Sequence, residues 1–142
     1  MPKDQILPGW GVLLGLAVLL LVQSEVQSAP AAVSQTAARQ YKAAEALVIN
    51  GQHRVALRLM RETVAQDRES GVYSEGHFTE PYYPHFLLGW IHMELDDPVS
   101  ALAEFDMELS SDAIREDPVR FRELTLRREL VLCRLNIADP QQ

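Results

Sequence analysis

The segment Leu88-Gly89-Trp90-Ile91-His92 leads through Asp96-Asp97-Pro98 to Ala101-Leu102 and Phe105. The same arrangement stands 45 residues earlier. Ala44, Leu47, Gly51, Ala56 and Met60 keep the relative spacing of Gly89, His92, Asp96, Ala101 and Phe105. Small residues at 44 and 89 let one helix approach another closely, and Ala56 and Ala101 do the same on the helix that follows. Met60 and Phe105 are large enough to fill the space between the resulting pairs. The chain therefore writes one helical hairpin twice.

Outward from that pair, apolar residues keep a helical period and no stretch sustains strand alternation. A first helix, starting after Ser34 or Thr36, carries Ala37, Tyr41, Ala44, Leu47 and Val48. It stops at Asn50-Gly51, where glycine accepts a left-handed conformation. A second, from about His53 to Asp67, is expected to bury Val55, Ala56, Leu59, Met60, Thr63 and Val64, with Ser70-Gly71 beyond it. The third opens on Pro84, whose missing N–H wastes no bond at the first helical position, and runs to Glu94. Asp97 caps the fourth, which buries Ala101, Leu102, Phe105 and Leu109. Asp117-Pro118 repeats that device and opens a fifth helix of roughly eighteen residues. The expected class is all-α, an antiparallel helical stack.

This pattern resembles the tetratricopeptide repeat family, whose unit is a helix–turn–helix of roughly 34 residues. The resemblance implies TPR-like antiparallel hairpins, an α-solenoid fragment. By that register residues 37–115 hold two repeats, 37–70 and 82–115, with an insertion at about 71–81. Residues 116–137, with Leu124, Leu126, Leu130, Val131 and Leu135, form a C-terminal capping helix, and 138–142 are a tail. The family's large aromatic early in the first helix is Gln40 in one copy and His85 in the other. Its second tyrosine-like position is Leu47 and His92. Two hairpins are few, because stacked repeats need about three units to bury their faces.

The family binds protein segments in a groove lined by first helices, so the resemblance implies an adaptor. The groove-facing positions carry over to Tyr41, Lys42 and Glu45 in the first copy, and to Tyr83, Phe86, Trp90, Met93 and Glu94 in the second. Aromatic residues and Met dominate interface energies. The competing reading is that Phe86 or Trp90 packs under the insertion or the cap.

The insertion is the least generic stretch: Tyr73-Ser74-Glu75-Gly76-His77-Phe78-Thr79-Glu80-Pro81-Tyr82-Tyr83. Five of the chain's ten aromatic residues lie between Tyr73 and Phe86. Such a loop either docks on its own helices or contacts a partner, which adds Tyr73, Phe78 and Tyr82 to the partner-binding set. Glu75, His77, Glu80, His85 and His92 have the chemistry of metal ligands, but not at a recognised spacing. No HExxH or paired-cysteine motif is present. Neither a metal nor a cofactor is expected.

Nor does the sequence carry a catalytic constellation. It lacks a Gly-rich phosphate loop, a G-x-S-x-G elbow and a Cys–His pair with an orienting group, so the expected role is non-enzymatic. Cys133, the single cysteine, excludes an intrachain disulfide. It is expected on the apolar side of the last helix as a buried thiol.

Among 142 residues, 13 are Lys or Arg and 20 are Asp or Glu, a formal charge of −7. That balance argues against a nucleic-acid surface, which needs clustered cations. Charge is also segregated. Arg54, Arg58 and Arg61 share a face of the second helix, Glu94 to Asp117 holds nine acids against Arg115, and the last helix carries Arg120, Arg122, Arg127, Arg128 and Arg134. Either these layers complement each other within the molecule, or the basic helix faces an acidic partner or membrane headgroups.

Ile6 to Val22 contains no charged residue, and Lys3 precedes it. Val26 and Ser28 suit the −3 and −1 positions of a signal-peptidase site. Residues 1–28 are thus a signal peptide, with 29–36 as linker, or an uncleaved membrane anchor that contacts the bilayer through 6–22. Those 17 residues span about 26 Å as a helix, against about 30 Å of hydrocarbon. Either way the body is exported, periplasmic or secreted, or held as a single-pass protein outside the cytoplasm. The expected function is a protein–protein adaptor or scaffold. The alternative is a small structural subunit of a membrane protein complex that keeps its first helix as a transmembrane span.

Overall fold

The helical body begins at Ser34, whose hydroxyl accepts the Ala37 N–H at 3.1 Å and caps α1 (Gln35–Ile49). The computed structural model describes residues 33–75 and 77–135. The expected signal or anchor, the linker before residue 33, the end of the predicted cap at 136–137 and the tail lie outside the described residues. Among the described residues no helix is long and apolar enough to cross a membrane.

After α1 the chain turns at Gly51, with φ 74°, into α2 (His53–Gln66). α3 (Pro84–Glu94) starts on its proline. It ends before Asp96, which takes φ 58°. The Asp97 carboxylate then accepts the Ser100 N–H at 3.1 Å and caps α4 (Pro98–Leu109). A single turn, α5 (Asp112–Arg115), precedes α6 (Pro118–Leu135). Asp117 caps α6 by accepting the Val119 and Arg120 N–H groups at 3.1 and 3.0 Å.

α1 pairs with α2, and α3 with α4. α3 lies against α2 and touches α1; α6 lies against α4 and touches α3. The last helix thus relates to the second hairpin as α3 relates to the first.

The 45-residue offset is physical as well as sequential. Gly51 and Asp96 are the two left-handed turn residues among those described. Ala44 and Gly89 are buried, as are Ala56 and Ala101, Met60 and Phe105, Tyr41 and Phe86, and even the polar pair Thr63 and Glu108. Gly89 is small for a specific reason: a Cβ there would overlap the Phe105 ring. Tyr41, Met60, Leu87 and Ile91 centre one core cluster, and Phe86, Phe105, Leu124 and Val131 a second. Trp90 packs against both.

Three expectations are corrected. The insertion is not a loop but an antiparallel ribbon of β1 (Gly71–Glu75) and β2 (Phe78–Tyr82), in register Gly71 with Tyr82 and Tyr73 with Glu80. One face of the ribbon turns Tyr82 and Tyr73 towards the helices, while Val72, Ser74 and Thr79 on the other are exposed. This is a mostly helical fold with a small hairpin. Val55, expected in the core, is 41% exposed, because the inward face of α2 is set by Ala56, Met60 and Thr63. Leu126, Leu130 and Cys133 are also exposed, since α6 buries Leu124, Val131 and Leu132 on its opposite side.

Candidate protein-binding site

The start of α3 organises the region that carries most of the candidate residues. Tyr83 stands at its N-cap position and has no side-chain acceptor to offer the first turn. That acceptor comes from α4: Glu108 Oε2 takes the Phe86 N–H at 3.0 Å, and Oε1 takes the Ser70 hydroxyl at 2.5 Å. A carboxylate is favoured at this place, where helix N–H groups are unpaired and the dipole is positive. Burial nevertheless raises the Glu108 pKa, against the pull of the two hydrogen bonds. One side chain ties α3, α4 and the entry to β1 together.

The hairpin is seated by its last residues. Tyr82 is fully buried, meets Tyr41 edge-on at 5.4 Å between ring centres, and donates its hydroxyl to the Asp67 carbonyl at 2.5 Å. Burial raises the pKa of both phenols. Lys42 pairs with Glu80 at 2.7 Å, fastening α1 to β2 at the surface. Tyr83 is buried too, with its hydroxyl 3.4 Å from Asp117 and its pKa pushed up to about 12, first by burial and then by that carboxylate.

Of the aromatic groove candidates, Tyr41, Tyr82, Tyr83 and Phe86 are therefore core residues that hold the hairpin and α6 in place. The Phe78 side chain lies outside the described residues. Tyr73 and Met93 are half-buried against the two clusters. Glu45, Trp90 and Glu94 do lie along the first-helix face, but α6 reaches the first two there. Arg120 bridges Glu45 and Glu123, each at 3.0 Å, with its guanidinium 5.6 Å from the Phe86 ring centre. Arg127 stacks over Trp90 at 4.2 Å, and the Trp90 indole N–H donates to Glu94 at 3.1 Å. The predicted groove is spanned by intramolecular bridges. Arg128 adds another to α4 through Asp106 at 2.7 Å.

An open cleft lies instead on the other side of the ribbon, between β1 and the α5–α6 turn, with a volume of about 870 Å³. Val72, Pro81 and Tyr83 supply its apolar wall, and Asp112, Glu116 and Asp117 its rim. No Lys or Arg lines it among the described residues. β1 pairs only with β2 in this sheet, so its other edge has no strand among the described residues. Val72 is 46% exposed at that edge.

The sequence did not mark Asp112, Glu116 or Val72, because the cleft exists only once the hairpin forms beside α5. Glu108 carried a readable signal, since it continues the inward row of Ala101 and Phe105 on α4. Two of the three histidines with ligand chemistry have carboxylate partners: His85 Nδ1 lies 2.7 Å from Glu104, and His92 Nδ1 3.1 Å from Asp97. Among the described residues no group of three or more His, Cys, Asp or Glu side chains is placed to hold a metal. No protein-family model matches the sequence, and no curated protein or solved structure matches it either.

Proposed function

We propose that this chain is a non-enzymatic adaptor that holds an extended, basic protein segment in the cleft between the hairpin and the α5–α6 turn. The cleft itself supports the reading: an apolar wall, a rim of three carboxylates and a strand edge that no further strand pairs among the described residues, all in one place. A strand edge gives main-chain hydrogen bonds to an extended peptide, and the pockets beside it choose the side chains. A carboxylate rim with no Lys or Arg among the described lining residues selects Lys or Arg and speeds encounter. Two hairpins of the tetratricopeptide kind supply the frame. Support for that assignment is the shared left-handed turn at Gly51 and Asp96 and the matched burial of Ala56 with Ala101 and Met60 with Phe105. In this reading residues 1–28 deliver the helical body out of the cytoplasm, and the aromatic insertion acts through the cleft it creates.

A photo-crosslinking residue at Val72, with Ile49 as the control, tests the proposal in the source cell. The expected adduct maps to an extended segment with Lys or Arg, and the matching synthetic peptide binds purified protein. Asp112→Lys with Glu116→Lys abolishes that binding while the helical spectrum is kept. A crosslinking yield at Val72 no higher than at Ile49 overturns the reading.

A further inference from the structure

α6 turns Leu124, Val131 and Leu132 to the core and carries a second apolar row on its opposite face. Val119, Leu126 and Leu130 are 74%, 57% and 57% exposed, and Cys133 is exposed in line with them. At 3.6 residues per turn these four positions fall within about 60° of one another. Exposed apolar residues that recur on one helix face mark an interaction surface. Arg122 and Glu129 flank the row on one side, four residues before and three after Leu126. Arg122 is exposed and forms no ion pair among the described residues, and Glu129 makes a long contact, 3.9 Å, to Arg128.

We propose that this row is a self-association surface, on which a second copy of the chain lays its own α6 antiparallel about a two-fold axis at Leu126. The argument is the symmetry of the patch. A two-fold interface must be complementary to itself. Here the opposite charges stand at nearly equal distances on either side of the apolar centre. An antiparallel pair about Leu126 sets Leu126 against its equivalent, Val119 against the second copy's Cys133, and Arg122 beside the second copy's Glu129, twice over. Parallel pairing would leave Arg122 level with Arg122 and Glu129 level with Glu129, so that neither charge meets its opposite. A partner of unrelated sequence has no reason to meet this spacing. None of these residues lines the cleft, so the two proposals stand or fall independently.

Disulfide trapping in the full chain tests the geometry. Val119→Cys with native Cys133 is expected to give a covalent dimer on mild oxidation. Within one chain those positions lie about 21 Å apart along α6, far beyond disulfide reach. The wild type, and Val119→Cys combined with Cys133→Ser, are expected to give none. Arg122→Glu or Glu129→Arg alone is expected to weaken dimerisation about tenfold in sedimentation, and the two together to restore it. All four positions are on the exposed face, so the helical spectrum should be unchanged. Three results would each overturn the proposal: a wild-type dimer linked through Cys133, a monomer at every concentration with α6 intact, or capture of a different protein by the thiol of Val119→Cys.

Discussion

The Glu108 carboxylate on α4 accepts the Phe86 backbone N–H on α3 at 3.0 Å, and so one helix of the second hairpin caps its partner. This contact is buried, and its other oxygen takes Ser70, at the entrance to the ribbon. Glu108→Ala leaves the buried Phe86 N–H, and the half-buried Ser70 hydroxyl, without this acceptor. That is expected to cost about 1–3 kcal/mol of stability, read by urea unfolding.

The same carboxylate carries a pH signature. Burial raises its folded-state pKa above the ordinary 4.5, so the folded chain holds this proton more tightly than the unfolded one. Stability then falls as pH rises from 4.5 through the raised value, and it levels off above that. Glu108→Gln keeps an acceptor for Phe86 and offers a donor to Ser70 without titrating. The gap between the Tm profiles of Glu108→Gln and wild type should widen in favour of the variant across that window. Parallel profiles would show that Glu108 titrates as an ordinary carboxylate.

At Gly89 two principles oppose each other. Alanine in a helix interior is favoured over glycine by about 1 kcal/mol. The Phe105 ring occupies the space the new methyl needs, however. Overpacking should win, with Gly89→Ala less stable by about 1–3 kcal/mol. Phe105→Leu in the same chain should return part of that loss in a double-mutant cycle.

Gly51 and Asp96 offer a purely backbone comparison. A Cβ at Gly51 meets nothing within 4 Å, so Gly51→Ala is strained by its φ of 74° alone. It should lose about 1 kcal/mol. Asp96 already bears that strain at φ 58°, and Asp96→Gly should raise the Tm, by less than Gly51→Ala lowers it. Thermal unfolding of the two variants beside wild type decides both signs.

Arg120 and Glu45 sit 75 positions apart in sequence and meet at 3.0 Å, joining α6 to α1. Both side chains keep some solvent contact, so the pair should couple by about 0.5–1 kcal/mol in a cycle of Arg120→Met and Glu45→Gln. The coupling should shrink in high salt, as screening of a partly exposed pair requires. A coupling of zero would leave Arg120 its bridge to Glu123 and its place over the Phe86 ring.

The five longer helices were legible because their signals are local, whereas the single turn α5 was not expected. Pro84, Asp97 and Asp117 sit at helix starts, Gly51 sits at a stop, and the residues between them keep the helical period. The internal repeat was legible because buried positions 44, 56 and 60 recur, with the same small-small-large order, at 89, 101 and 105. The ribbon was not, since two strands of five residues alternate too briefly to stand out between long helices. The orientation of α6 was hidden for another reason. Leucine appears on both its faces, at 124 and 132 and at 126 and 130, so composition alone cannot say which face meets α4. The candidate site suffered most. Aromatic residues at 41, 82, 83 and 86 suit a binding face and a core equally well, and only the arrival of α6 and the ribbon decides between them.

Gly71 and Tyr82 are partners across the mouth of the ribbon, so the chain leaves the helical stack and returns to it at almost the same point. The excursion is closed, and its length is uncoupled from the spacing of the helices on either side. Residues can therefore be added or removed at the far end in pairs, one from each strand, without changing which side chains face α1 or how α2 and α3 meet. A single-residue change would turn half the ribbon over instead. The molecule thus carries an adjustable arm on a fixed base, and the reach of its exposed edge can be lengthened or shortened while the stack beneath stays as it is.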